Sequence, residues 1–429
     1  MNEQSDVRFE EALTRYLDVV RASRGDALRD AGRVVVIRDL TGRLRLAVEK
    51  LPENLDALFA RLREAAGPFF GEGILEKGSM FAPDAVFDSQ DLVEKGDEIF
   101  LLERVVTGAE FGRGLLPVSQ IPRATLYGIK GGVGRSTALC VWARHLASLG
   151  ERVLVVDLDL ESPGVSSLLL PPDARPDFGI VDWLVEDAVG NADDTLVRLM
   201  VSPSRPLTQK TSGKGEILVA PCGGARGEGY MAKLSRAYVD ISRDGRVVSF
   251  AERLARMLGD LEAEHKPTVV LLDSRAGLHD IAGFATTRLD AMTFLFAVGT
   301  RQTWDAYRIL LSHWAARPAI AEAIRLNLRV VAAQIPEIGR EEYLERLEQD
   351  AYDTFSDTLY EEAAADDSEA FNFDISSENA PHHPLKIAWG REFQDWDPAK
   401  DAVDENQLRG AFGDFVDGAT DLVLGGRES

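Results

Sequence analysis

The stretch "YGIKGGVGRSTAL", residues 127–139, gathers residue types that could hold phosphate. A glycine-rich turn between a strand and a helix lets backbone N–H groups close around phosphate oxygens, and the helix N-terminus adds partial positive charge. Gly131, Gly132 and Gly134 supply conformations and close approaches that side chains would block. The Ser136 hydroxyl is placed to ligate Mg²⁺ and Thr137 to touch a phosphate. The general phosphate-loop pattern, G-x4-G-K-[ST], fails twice here, with Ile129 at its first glycine and Arg135 at its lysine. Two later segments carry carboxylates. "RVLVVDLDLESPG" places Asp157 at the end of an apolar run and Asp159 two residues on. "PTVVLLDSRAGLHD" is an apolar run ending in Asp273, the Walker B pattern, in which the acid contacts Mg²⁺ through water.

The alternative spelling K-G-G-x-G-[KR]-[ST]-[ST] fits at every position. The sequence here resembles the ParA/MinD-type P-loop ATPases, which carry this deviant Walker A loop, and "KGGVGR" is similar to a variant subgroup with arginine at the second basic position. At fold level the resemblance covers about residues 124–425, and it is specific in the three segments just quoted. It implies an ATP- and Mg²⁺-binding site. Residues Gly131, Gly132, Val133, Gly134, Arg135, Ser136 and Thr137 would line the phosphates, and Ser136, Asp157 and Asp273 would surround the metal. It gives Lys130 a reach across a nucleotide-dependent homodimer to the partner's phosphates, and Asp159 the orientation of the attacking water. Where the family has an asparagine to read adenine, this chain has Gln334 in "VVAAQIPE". No [NT]KxD guanine signature occurs, so ATP is favoured over GTP. "HHPLKIAWGREFQDWDP", residues 382–398, resembles the family's proline-containing loop over the base; His382 and His383 are read there as surface or loop residues rather than metal ligands.

Arginine at position 135 keeps the charge but is planar and bulkier than lysine. Phosphoryl transfer depends on positioning and electrostatics, so the expectation is competent Mg-nucleotide binding with slow hydrolysis, Arg135 counting among the catalytic residues with Lys130 and Asp159. In "LLDSRAG", Gly277 keeps the switch glycine, while Arg275 stands where the family has proline. Arg275 could approach phosphate or pair with a nearby acid, and the pairing is the favoured reading.

These residues need a scaffold. From Ala124 onward, apolar runs "ATLYGI", "RVLVVD", "EILVAP", "PTVVLLD", "AMTFLFAVG" and "LRVVAAQIP" alternate with helical stretches such as "VSFAERLARMLGDLEAEH". That alternation predicts an α/β fold with a mostly parallel sheet and helices on both faces. Residues 1–120 lack the alternation and read as a small α+β accessory domain. It has helices in "FEEALTRYLDVVRAS" and "NLDALFARLREAA", a hairpin turning at Asp39–Gly42 and a strand in "DEIFLLERVV". "GRGLLPVSQIPR" reads as the linker to an ATPase domain at 121–429. "YEEAAADDSEA", residues 360–370, reads as a solvated acidic run.

The whole chain has 429 residues, 45% hydrophobic and 28% charged, so a soluble globular protein is expected. Its net charge of -23 argues against direct nucleic-acid binding and against docking on anionic lipid. No apolar run approaches the ~20 residues of a membrane helix, and the polar N-terminus is unlike a secretory signal. Two isolated cysteines, Cys140 and Cys222, suit a reduced cytoplasmic protein and exclude the paired cysteines of iron–sulfur carriers. The charge and the acidic C-terminus also set it apart from DNA-partitioning and membrane-docking branches. What the resemblance then implies is an ATP-controlled switch in a bacterial multi-component system of defence or signalling kind, with an unidentified protein partner and an N-terminal domain that either meets that partner or is the part the switch controls. Two rivals stay open, an ATP-driven ligase- or kinase-like enzyme and a non-hydrolysing scaffold whose nucleotide is structural.

Overall fold

The computed structural model describes residues 7–53, 55–89, 91–204, 215–225, 229–243, 246–362, 370–394, 396–398 and 404–425. Most of the acidic run, 363–369, lies outside the described residues. The chain forms two compact units, Met1–Ala109 and Glu110–Ser429.

In the first unit five strands, β1 (Val34–Arg38), β2 (Leu44–Val48), β3 (Phe70–Glu76), β4 (Leu92–Glu94) and β5 (Ile99–Glu103), form a mixed sheet of order β3-β2-β1-β5-β4. The β1–β2 hairpin turns where the sequence places it. Asp39 Oδ1 accepts from Thr41 N at 2.8 Å and Arg43 N at 2.9 Å, the side-chain turn that aspartate favours. Helices Phe9–Ser23 and Asp56–Ala66 bury Tyr16, Leu17, Val20, Leu58 and Leu62 in one core with Val34, Val36, Leu44 and Leu46. The sequence reading misses β3 and β4, because their burial patterns lack both an apolar run and a clean alternation.

In the second unit eight strands form one sheet of order β15-β14-β13-β6-β12-β7-β9-β8. They are β6 (Arg123–Gly128), β7 (Arg152–Asp157), β8 (Ser202–Pro203), β9 (Glu216–Ala220), β12 (Val269–Asp273), β13 (Met292–Ala297), β14 (Leu328–Ile335) and β15 (Leu385–Ala388). All neighbours are parallel except the β8–β9 pair. Short β10 (Ile241–Arg243) and β11 (Arg246–Val248) pair with each other.

Strand residues alternate between two covered faces. Val153 and Val155 join one core with helices Arg135–Ser148 and Glu405–Leu424. Leu154 and Val156 join another with helices Ile180–Ala188 and Phe250–His265. The helix Phe250–His265 starts where Ser249 and Glu252 cap each other, Glu252 N to Ser249 Oγ at 3.2 Å and Ser249 N to Glu252 Oε2 at 2.8 Å.

Three readings differ from the structure. The loop read at 382–398 contains β15, which extends the sheet beside β14. His382 is buried, not at the surface, and its ring meets Tyr360 OH and, at 3.2 Å, the Ile375 carbonyl. The segment read as linker begins inside the second unit. Trp314 Nε1 donates to Phe111 O at 3.1 Å, and buried Glu110 pairs with Arg288 at 2.8 Å. Gly283 must be glycine there, since a Cβ would sit 2.7 Å from Phe111 N. Proline and glycine content signals a loop, and says nothing of what the loop packs against.

Candidate functional site

Parallel strands deliver their C-terminal ends to one edge of the sheet, and the site is built there. β6 ends at Gly128 and runs into the glycine loop. Gly132 and Gly134 have φ of 76° and 83°, the left-handed region glycine enters freely, and Gly134 caps the helix Arg135–Ser148. Nothing stands within 4 Å of where a Cβ would be on Gly131, Gly132 or Gly134, so the loop's outer surface faces open space. Val133 is turned into the core.

β12 pairs with β7 so that Asp273 lies directly opposite Asp157. Ser136 Oγ donates to Asp273 Oδ2 at 2.7 Å. Asp157 is fully buried and accepts from Ser166 N at 3.1 Å and Ser166 Oγ at 2.5 Å. Asp159 N donates to Asp157 Oδ1 at 3.3 Å. Burial, and then the charge of Asp157, pushes the Asp273 carboxyl up to about 7. Burial pushes Asp159 up to about 6, against the pull of Arg135. Asp157 is also raised, by burial, with the Ser166 hydrogen bonds opposing. Asp159 Oδ1 and Asp273 Oδ1 are buried without a hydrogen-bond partner among the described residues.

A crowded carboxylate group with two orphaned oxygens is short of positive charge. Among the described residues, no group of three or more His, Cys, Asp or Glu side chains could hold a metal ion alone. The donor set instead suits Mg²⁺, which keeps waters and takes one or two protein ligands together with phosphate oxygens. Ser136 and Asp273 are the residues that fit it, with Asp157 behind them.

Arg135 is buried. Its Nη1 donates to the Ser274 carbonyl, and its Nη2 lies 3.9 Å from Asp159 Oδ2. So the guanidinium faces the two strand-end segments rather than standing free over the loop. Arg275 pairs with Glu161, the acid pairing favoured from sequence. Glu161 also meets Tyr238 OH and lies 3.6 Å from His279. One carboxylate in the segment after β7 thereby gathers three groups from elsewhere. Spacing gives no hint of it, because Glu161 and Arg275 are far apart in the chain. Gly277, at φ 82°, donates its N–H to Gly128 O at 3.1 Å and accepts from Tyr127 OH at 3.1 Å.

The remaining residues take these places. Lys130 is half-buried and its Nζ donates to Gln302 Oε1 at 2.6 Å. Thr137 is half-buried in the first helical turn. Gln334 has φ 56°, rare for a side chain, and its Nε2 donates to Gly132 O at 2.8 Å. The residue read as a base contact thus touches the phosphate loop itself. Cys140 and Cys222 are both buried and free; Cys222 Sγ donates to Asp157 O at 3.1 Å. No described helix is long and apolar enough to cross a membrane.

Comparison with known proteins adds to this geometry. The family model for the CobQ/CobB/MinD/ParA nucleotide-binding domain matches residues 124–337. No curated protein matches the chain significantly. Among solved structures, the MinD cell division protein of Aquifex aeolicus is 14% identical, with 70% of this chain and 97% of that one covered and a TM-score of 0.43. Cobyrinic acid a,c-diamide synthase of Mycobacterium smegmatis, with a bound ATP analogue and magnesium, is 16% identical over 72% and 97%, with a TM-score of 0.40. McdA of Cyanothece in complex with ATP is 12% identical over 71% and 96%, with a TM-score of 0.41. With its loop, its strand-end acids and its largely parallel sheet, the chain carries, at residues 124–337, a CobQ/CobB/MinD/ParA nucleotide-binding domain.

Proposed function

We propose that the second unit is a slowly hydrolysing Mg-ATPase whose bound nucleotide controls a symmetric dimer, and that this dimer acts on a protein partner in a bacterial multi-component system. The observation that carries it is the orphaned Asp273 Oδ1 beside Ser136, at the foot of an outward-facing glycine loop. Ser136 and Asp273 would hold Mg²⁺, with Asp157 behind them. When bound, the ion neutralises phosphate charge. The N–H groups from Gly131 to Thr137 cradle phosphate oxygens. Asp159 orients the attacking water. Lys130 leaves Gln302 for the partner subunit's nucleotide, and Gln334 steadies the loop at Gly132. The first unit, Met1–Ala109, meets the protein partner. The charge of -23 keeps nucleic acid and anionic membrane off the list of partners. Ordering of the segments around Asp159 and Gly277 by nucleotide would be the switch.

ATP binding, hydrolysis and oligomeric state, measured together, test this reading. Lys130→Ala should abolish ATP-dependent dimerisation and turnover; if both persist, the cross-subunit role is wrong. Asp159→Ala should trap the ATP-bound state. A wild-type protein that binds no nucleotide would sink the whole proposal. A second reading, a scaffold with structural nucleotide, is favoured by the inward ties of Arg135. Stoichiometric nucleotide that copurifies and never turns over would select it.

A further inference from the structure

The basic residue of the loop is engaged by the chain itself on both arms, and its partners lie on two different segments. Nη1 holds the carbonyl of Ser274, the residue after Asp273, and Nη2 approaches Asp159 on the segment after β7 at 3.9 Å. We propose that Arg135 is a positioning residue, a latch that ties the phosphate loop to both strand-end segments before nucleotide arrives and that an incoming triphosphate must open. The proposal rests on the nucleotide reading above only for its second half; the tie itself rests on the chain's own contacts.

The side chain has a fitted path. A Cβ on Gly128 would lie 3.1 Å from Arg135 Cδ and 3.3 Å from Val133 Cγ2, so the strand's last residue gives it room. The hydrogen bonds made by the backbone N–H groups at its two contacts are long. Ser274 N reaches Leu126 O at 3.3 Å, and Asp159 N reaches the Asp157 carboxylate Oδ1 at 3.3 Å. The guanidinium therefore adds a restraint at both places, beside Leu158 N to Asp273 O at 3.0 Å and Gly277 N to Gly128 O at 3.1 Å. Lysine could not do this, because its single ammonium lacks the planar fork that reaches a carbonyl and a carboxylate at once. Phosphate oxygens, being charged, are stronger partners for a guanidinium than a neutral carbonyl. Nucleotide binding then draws Arg135 away, and Ser274 and Asp159 are released together. Closing the latch again competes with binding, so apparent affinity is lowered by the share of molecules that are latched.

Hydrogen–deuterium exchange on the nucleotide-free full chain tests the tie, and the affinity for AMPPNP with Mg²⁺ tests the competition. In Arg135→Lys, exchange over 158–164 and 273–280 should quicken by about tenfold, the response to losing one local restraint. Exchange in β13, Met292–Ala297, should not change, and AMPPNP should bind as tightly as in wild type or more tightly. In Asp159→Asn, which loses one arm of the latch, the rise should be confined to 158–164. Unchanged exchange in Arg135→Lys overturns the latch. So does a rise that spreads equally to β13, which would mark general loosening, and so does AMPPNP binding weakened more than about tenfold, which would make Arg135 a phosphate ligand and nothing else. If the exchange responds but no protein binds AMPPNP, the tie stands and the nucleotide reading falls.

Discussion

Two buried carboxylate sites in the second unit solve the same electrostatic problem in opposite ways. Asp187, on the helix Ile180–Ala188, is surrounded by three arginines. Arg253 Nε sits at 2.8 Å and Arg243 Nη2 at 2.9 Å, with Arg256 in direct contact. Burial would raise its pKa, but hydrogen bonds from Arg253 and Arg243 and the charge of Arg256 win, and the carboxyl is held low. At the strand ends, one buried arginine, Arg135, acts on Asp159 and Asp273, Asp157 is held by Ser166, and all three carboxyls are pushed up. The first cluster completes its own charge and belongs to the fold. The second leaves Asp159 Oδ1 and Asp273 Oδ1 without a partner among the described residues and is short of positive charge. Burial alone does not separate structural acids from functional ones; the balance of charge around them does.

The sharpest way to break that contrast is at Arg253, which is 0% exposed against 2% for Asp187. Besides its acid, it donates to Val239 O at 2.7 Å and Ala237 O at 3.2 Å. Arg253→Met leaves those carbonyls unpaired and an acid under-compensated. Removing one partner of such a pair costs about 3–5 kcal/mol. Urea unfolding should show the midpoint falling with little change in slope. A loss below about 1 kcal/mol would mean the cluster is not structural, and the contrast with the strand ends would fail.

The opposite sign is expected at Asp273. Its ionised form is unfavourable in the folded, ligand-free protein, so Asp273→Asn should raise the melting temperature at pH 8 while removing Mg-dependent nucleotide binding. The pH dependence follows. In the unfolded chain this carboxyl loses its proton near its ordinary pKa of about 4, whereas in the folded chain it does so near 7. A raised folded pKa gives stability that is complete below the unfolded value and is lost as pH climbs through the folded one. The wild type should therefore fall relative to Asp273→Asn across that window and level off above it. A difference that does not vary with pH would show that Asp273 is not strained by burial.

The contrast also explains what could be read from sequence. The strand-end acids were legible because apolar runs announce buried strands, and an acid closing such a run has nowhere to go but the site edge. Asp187 was not legible. Its partners Arg243, Arg253 and Arg256 are brought to it by packing between separate elements, and no periodicity encodes that meeting. The same holds for Glu161 with Arg275, and for Phe111 under Trp314. β15 is not legible as a strand, because "LKIA" is too short, and too close to proline and glycine, to stand out. Motifs fix what the backbone must do locally; counter-ions and anchors depend on distant packing.

A smaller effect is expected at Glu161, whose pair with Arg275 is about a quarter to a third exposed, at 25% and 32%. Exposed pairs contribute about 0–1 kcal/mol, so Glu161→Gln should barely change the melting temperature. If the pair holds two switch segments together, though, exchange over 158–164 and 274–280 should rise. A destabilisation as large as that of Arg253→Met would place Glu161 with the structural cluster instead.

The smallest net change belongs to Gln334, where two terms oppose. Its φ of 56° is costly for any residue with a Cβ, and its amide donates to Gly132 O at 2.8 Å. Gln334→Ala keeps the strain and loses the bond, worth about 0.5–1.5 kcal/mol. Gln334→Gly loses the same bond but relieves the strain, a gain of about 1 kcal/mol, partly offset by the extra freedom of glycine when unfolded. The glycine variant should therefore lie close to wild type in stability and the alanine variant below it, while both show faster exchange at Gly132 and Gly134. Equal stability of the two variants would show that the backbone at 334 relaxes without the bond. In that case the strained strand end is held by the phosphate loop it touches, and the loop's shape and the strand's strain are one feature.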